Sequence, residues 1–254
     1  MDDFLQTALA ARLLALGDDE LVLGQRDSEW CGRAPILEED IAFANLALDE
    51  IGHASLWYAL LAGLLGKDPT TYPDELVYRR EVNGFRCARM VELPVGDWAF
   101  SMLRQYLFDA AESARLAELV NSRYAPLAET AAKVRKEEVY HLRHTEAWTR
   151  RLALGAEESH RRMQAALDVL WPYTAQLFAP LPGEDRLSEA GILPPAGAVQ
   201  SAWLGRVGPV LQECGLVAPQ GPSAPLERET HTPYLKVLVS EMQSVARMEP
   251  EAAW

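Results

Sequence analysis

Two segments of the 254-residue chain carry one short pattern, Glu50-Ile51-Gly52-His53 and Glu138-Val139-Tyr140-His141. Residues at i and i+3 lie side by side on a helix, so a carboxylate and an imidazole at this spacing reach the same metal ion from one helix. Two further acids, Glu20 and Asp109, precede Glu50 and Glu138 by 30 and 29 positions. One carboxylate from each of two helices and a Glu-x-x-His pair from each of two others is the donor set of a two-metal carboxylate site inside a helical bundle. The six residues Glu20, Glu50, His53, Asp109, Glu138 and His141 are therefore candidate ligands for two iron ions or another divalent metal.

A lone Glu-x-x-His means little, because in this composition chance supplies about half a match. Glu157-Glu158-Ser159-His160 is a third instance with no matching partner helix. The paired, hairpin-like intervals distinguish the other two. Their surroundings add to the case: Phe43, Leu46, Trp57 and Leu60 share the stripe of Glu50 and His53, and Ala131, Val134, Leu142 and Trp148 that of Glu138 and His141. Acids on apolar stripes need a metal, a cation or a proton, since a buried carboxylate without a partner costs several kcal/mol. The competing reading is a polar core compensated by neighbouring Arg or His. Glu112 is an alternative to Asp109, Asp27 is either a hydrogen-bond partner of a ligand or a solvated helix end, and His144 lies outside the ligand set. His160 and His231 have no constellation, and Trp57, Trp148 and Trp171 read first as core.

The elements that must hold these residues are helices. Apolar residues recur at three- and four-residue spacing and strand-like alternation is almost absent, so the fold class is all-α. Long helices are expected at about 2–30, 36–65, 97–122 and 126–153, separated by Cys31-Gly32…Pro35, Lys67-Asp68-Pro69 and Tyr124-Ala125-Pro126. A shorter helix near 74–91 falls in the connection between the second and third. One long crossover favours a ferritin-like four-helix bundle over a simple up-down bundle. Additional C-terminal helices are expected at about 156–179 and at about 198–213, the second flanked by Pro- and Gly-rich loops at 180–197 and 214–230. A last one starts with Thr232 as N-cap and Pro233 at the first helical position and runs to about Met248. The chain thus reads as one domain, 1–254, with a bundle core of about 2–153 and an extension of about 156–254.

Composition narrows the function classes. A formal net charge of −13 disfavours nucleic acid and anionic membrane as partners. Cys31, Cys87 and Cys214 form no CxxC pair, so neither a disulfide framework nor a zinc site is indicated, and a reducing cytoplasm is the simplest setting. Met1-Asp2-Asp3 lacks the basic residues of a signal peptide, and the apolar run from Leu56 to Gly66 is too short to span a bilayer. No nucleotide-binding or nucleophile-elbow motif occurs.

A family likeness extends almost end to end. It is carried by Leu16-Gly17-Asp18-Asp19, Leu21-Val22-Leu23-Gly24-Gln25-Arg26, Ser28-Glu29-Trp30-Cys31-Gly32 and Ala34-Pro35…Leu37-Glu38-Glu39-Asp40. It continues through Val91-Glu92…Pro94…Gly96-Asp97, Arg104-Gln105-Tyr106, Lys136-Glu137…Tyr140-His141-Leu142-Arg143, Leu170-Trp171 and Leu238…Glu241-Met242-Gln243. These segments resemble the smaller ferritin-like subunit of the multicomponent phenylacetyl-CoA epoxidase of aerobic phenylacetate degradation. The resemblance implies a hetero-oligomer with a homologous catalytic di-iron subunit, which binds phenylacetyl-CoA and places one atom of O₂ on its ring. It also implies a small accessory component and a reductase delivering electrons from NADPH; for the isolated chain, a homodimer through the surface meant for its partner is the expectation. In that family the smaller ferritin-like subunit is a structural partner whose bundle has lost ligands, whereas here all six positions keep competent ligand types. Three readings stay open: a scaffolding partner retaining a metal site, a di-iron oxygenase in its own right, and an iron-binding ferroxidase.

Overall fold

In the computed structural model, which describes residues 1–195 and 197–249, α1 (Asp3–Ser28) and α2 (Leu37–Leu65) form one hairpin. A connection containing the short helices α3 (Tyr72–Tyr78) and α4 (Arg89–Glu92) leads to a second hairpin, α5 (Trp98–Leu119) and α6 (Ala125–Ala153). The chain is all-α among the described residues, as expected of a ferritin-like bundle. The ends of the long helices are set locally. Asp2 caps α1 by accepting from the Leu5 amide at 2.8 Å, and Asp97 caps α5 by accepting from Phe100 at 2.9 Å. Gly66 ends α2 in the left-handed region, φ 65°, where a side chain would be strained.

Around the bundle lie α7 (Glu157–Thr174), α8 (Glu184–Glu189), α9 (Ala198–Glu213), α10 (Pro233–Met242) and α11 (Ser244–Met248). Helices α7 and α9 pack on α5, where Trp171 stacks on Trp203 with ring centroids 5.4 Å apart. One continuous apolar core runs from Ala8 in α1 to Val239 in α10, and a satellite cluster gathers Phe43, Leu46 and Met102 with Trp30, Trp98 and Trp148. Ala196 and residues 250–254, part of the expected extension, lie outside the described residues.

The structure departs from the sequence expectation in three places, the first being the short helix α8, Glu184–Glu189, inside the loop expected at 180–197. The helix expected at 74–91 is two short helices flanking a 3₁₀ turn, Val82–Gly84. The segment after that turn is drawn out so that its backbone can serve buried acids on α1: the amide of Arg86 donates to Asp18 and that of Ala88 to Asp19, both at 2.6 Å. The last helix is also interrupted, at Gln243, whose side-chain amide donates to the carbonyls of Val77 and Arg80 at 2.8 and 3.0 Å. Thr232 precedes α10 in extended conformation but makes no side-chain cap; its backbone N–H donates to Glu92 instead.

Candidate metal centre

Helix α1 presents three successive acids, Asp18, Asp19 and Glu20, and all three are buried. Asp18 accepts from Tyr58, Arg80 and the Arg86 amide. Asp19 accepts from the fully buried Arg228 at 2.8 Å and from the Ala88 amide. Glu20 differs from both: neither of its oxygens has a hydrogen-bond donor. Unpaired carboxylate oxygens in an apolar interior require a cation or a proton.

Glu20 points at the Glu-x-x-His face of α2. The approach of the two helices depends on glycine, because a Cβ on Gly24, one turn beyond Glu20, would sit 2.9 Å from the Cβ of Glu50. Glu20, Glu50, His53 and Glu138 each offer a donor atom, and all four atoms lie within 4.8 Å of one another. His53 Nδ1 is 3.6 Å from Glu20, 3.6 Å from Glu138 and 4.0 Å from Glu50. Besides Glu20, Oε2 of Glu50, Oε2 of Glu138 and Nδ1 of His53 have no hydrogen-bond partner. Buried oxygen and imidazole donors left unpaired around one point fit a divalent transition metal in donor type.

His141 lies beside this group, its Nδ1 3.1 Å from Glu138 and 3.5 Å from Glu50. Asp109 is tied in through Gln105, whose amide donates to Glu50 Oε1 at 2.7 Å and to Asp109 Oδ1 at 2.8 Å, while the Thr145 hydroxyl donates to Asp109 Oδ2 at 2.7 Å. All six candidate residues thus meet in one buried region from four helices, four of them tightly and Asp109 through an intermediary.

Both histidines turn Nε2 outward to a carboxylate, His53 to Glu137 at 2.8 Å and His141 to Asp49 at 3.2 Å. For His53, an Nε2–H donated to Glu137 would leave the Nδ1 lone pair facing the centre, which is how metal-bound imidazoles are oriented. Sequence reasoning missed Asp49, Glu137, Gln105 and Thr145. A signal for the first two exists: each directly precedes the ligand glutamate of its own helix, so both helices read acid-Glu-x-x-His. Gln105 stands one turn before Asp109, and Thr145 one turn after His141.

Charges in the metal-free centre follow from burial and crowding. Burial pushes Glu20 well above the usual carboxylate range, and the facing Glu50, together with Glu138, pushes it further. Burial would raise Glu50 too, but the facing Glu20, when it carries a proton, and the nearby His141 outweigh it and hold Glu50 down at about 2. Burial disfavours an imidazolium at His141, yet Glu138 and Glu50 outweigh it and push His141 up to about 12. Without a cation, then, a proton on Glu20 and one on His141 keep the acids together.

The other candidates separate from this centre. Glu112 pairs with Arg115. Asp27 is buried 3.6 Å from Arg104, not solvated. His144 bonds Glu39 at 3.0 Å, and His160 bonds the Ala153 carbonyl at 2.8 Å. His231 does have a constellation, with Cys87 and Glu92. There Glu92 accepts from His231 and from the Thr232 amide, both at 2.6 Å, and His231 Nε2 reaches the Phe85 carbonyl at 3.0 Å. That cluster is closed by its own hydrogen bonds. A cavity of about 690 Å³ lies beside Arg12, Leu16, Arg115 and Phe178, and none of the six ligand-type residues lines it.

Two hairpins joined by a long crossover, with inward-facing Glu-x-x-His pairs, make a helical bundle of the ferritin-like class. The chain belongs to the phenylacetic acid catabolic protein family, whose profile matches residues 1–254. It is 38% identical over 248 residues to the C subunit of 1,2-phenylacetyl-CoA epoxidase from Escherichia coli (strain K12), covering 97% of this chain and 99% of the relative. It is 25% identical over 181 residues to the A subunit of the same epoxidase, covering 71% of this chain and 57% of that relative. No helix among the described residues is long and apolar enough to cross a membrane.

Proposed function

We propose that this chain is the scaffolding subunit of a phenylacetyl-CoA epoxidase, seated in the cytoplasm against a homologous catalytic partner and holding a metal ion of its own. The observation that carries the reading is the end-to-end match to the epoxidase C subunit, at higher identity and coverage than the partial match to the A subunit. The outer face of α2 and α6 exposes Leu37, Ile41, Leu48, Val139 and Tyr140, apolar side chains of the kind a permanent partner covers. An obligate interface there would bury on the order of 2,000 Å² or more. Glu20, Glu50, His53 and Glu138 are the residues to hold the metal, with Asp109 and His141 beside them. A divalent ion held there would supply the positive charge that these acids otherwise obtain from protons, and Lewis acidity besides.

Size-exclusion chromatography after co-expression with the catalytic partner tests the pairing. Co-elution is expected, and separate elution at micromolar concentration overturns it. The complete set of ligand types favours one rival, that the chain is itself an oxygenase. Reactions with this chain alone, the partner alone and both, each with reductase, NADPH, O₂ and phenylacetyl-CoA, decide between them by product mass spectrometry. Product is expected only where the partner is present, and it should survive Glu138→Ala in this chain. Product from this chain alone, lost on Glu138→Ala, would establish the rival.

A further inference from the structure

The two sides of the centre are finished differently, and the difference concerns how many ions it can take. On the side of Glu20, five donor atoms are unpaired: both oxygens of Glu20, Oε2 of Glu50, Oε2 of Glu138 and Nδ1 of His53. On the side of Asp109, both carboxylate oxygens already have donors, from Gln105 at 2.8 Å and Thr145 at 2.7 Å, and the same Gln105 amide reaches Glu50 at 2.7 Å. The orientation of that amide is dictated by its neighbours, since turning it over would set its carbonyl oxygen against two carboxylates. Gln105 is fully buried and stands on α5 one turn before Asp109, so helix geometry holds its NH₂ between the acids of α2 and α5.

We infer that the Gln105 amide takes the place of a second cation, so that the centre binds one metal ion at Glu20, Glu50, His53 and Glu138 and not two. The amide does for Glu50 and Asp109 what an ion between them would do: it offers both oxygens a positive donor, without adding charge. A second ion would have to expel it and leave a buried donor group unpaired. Asp109 is then a residue of ligand type whose partners are the side chains of Gln105 and Thr145, and His141 hydrogen-bonds Glu138 at 3.1 Å and lies 3.5 Å from Glu50 in place of an ion.

This inference rests on the reading of the centre as a metal site, and the count of ions separates the failure of one from the failure of the other. The full-length chain is stripped with chelator, reloaded with Mn(II), and measured by elemental analysis and electron paramagnetic resonance. One ion per wild-type chain with the hyperfine spectrum of an isolated Mn(II) is expected. Gln105→Ala, which empties the position, and Gln105→Glu, which puts a carboxylate there, are expected to double the uptake and give the spectrum of a spin-coupled pair. Two variants and a circular-dichroism melt of each guard against a folding defect in either. Two coupled ions in the wild type overturn the inference and leave the metal reading standing. One ion in the wild type and in every folded variant overturns the role of Gln105. No ion in any of them overturns the metal reading, and this inference with it.

Discussion

The α1/α2 hairpin and the α5/α6 hairpin bring the same kinds of residue to the centre at nearly the same interval, yet only the first leaves its acid exposed to the shared point. Glu20 has no donor within the protein, whereas Asp109 is held by Gln105 and Thr145. Residues of ligand type give a site its capacity. The neutral side chains beside them decide whether that capacity is open.

The largest expected effect tests this asymmetry directly. Structural sites release about 10–16 kcal/mol on binding zinc through four ligands, so removing one ligand costs affinity about 10²- to 10³-fold. Glu20→Gln is expected to weaken Mn(II) or Fe(II) binding by that much, measured by isothermal titration calorimetry. Asp109→Asn should change it less than about tenfold. Equal losses in the two variants would erase the distinction between the hairpins.

A smaller effect comes from the outer carboxylates, whose replacement typically costs metal affinity about 10- to 100-fold. Glu137 orients His53, a ligand on the open side, and Asp49 orients His141, on the closed side. Glu137→Gln is expected to fall in that range and Asp49→Asn below it, in the same calorimetric titration. The reverse order would move the metal toward His141.

The smallest effect is a pH dependence of stability. Glu20 has a raised pKa in the folded chain, so the folded state binds more protons than the unfolded one, and its stability falls as pH rises above the ordinary carboxylate range. His141, raised to about 12, stabilises the fold fully below its ordinary value near 6.5 and loses that contribution as pH climbs toward 12. Both act in the same direction. A metal ion displaces the Glu20 proton and removes that dependence, so the difference in Tm between metal-loaded and metal-free protein should widen from pH 6 to pH 8. A constant difference would mean that Glu20 is not deprotonated on binding.

Much of this was legible in the chain itself. Expected helices at 36–65 and 126–153 correspond to Leu37–Leu65 and Ala125–Ala153, because 3.6-residue periodicity and Pro or Gly punctuation are local signals. The two Glu-x-x-His pairs were legible for the same reason. The long crossover was legible too, but not its interior: residues 79–88 give up helical hydrogen bonds to serve Asp18 and Asp19, acids some sixty to seventy positions away whose burial no local pattern announces. Gln105 and Thr145 escaped notice because a neutral amide and a hydroxyl on a helix carry no metal-binding signature until their neighbours are known. Asp49 and Glu137 could have been found from the acid that precedes each ligand glutamate.

The bond between Asp19 and Arg228 spans 209 positions. A ribosome adding about 5–20 residues per second completes α1 roughly 10 to 40 s before the guanidinium that neutralises Asp19 emerges. During that interval Asp19 has no guanidinium partner, and a buried carboxylate without one is costly. Truncation before residue 228 would leave that acid unpaired, which makes the C-terminal segment the latch of a bundle whose four long helices all lie upstream of it.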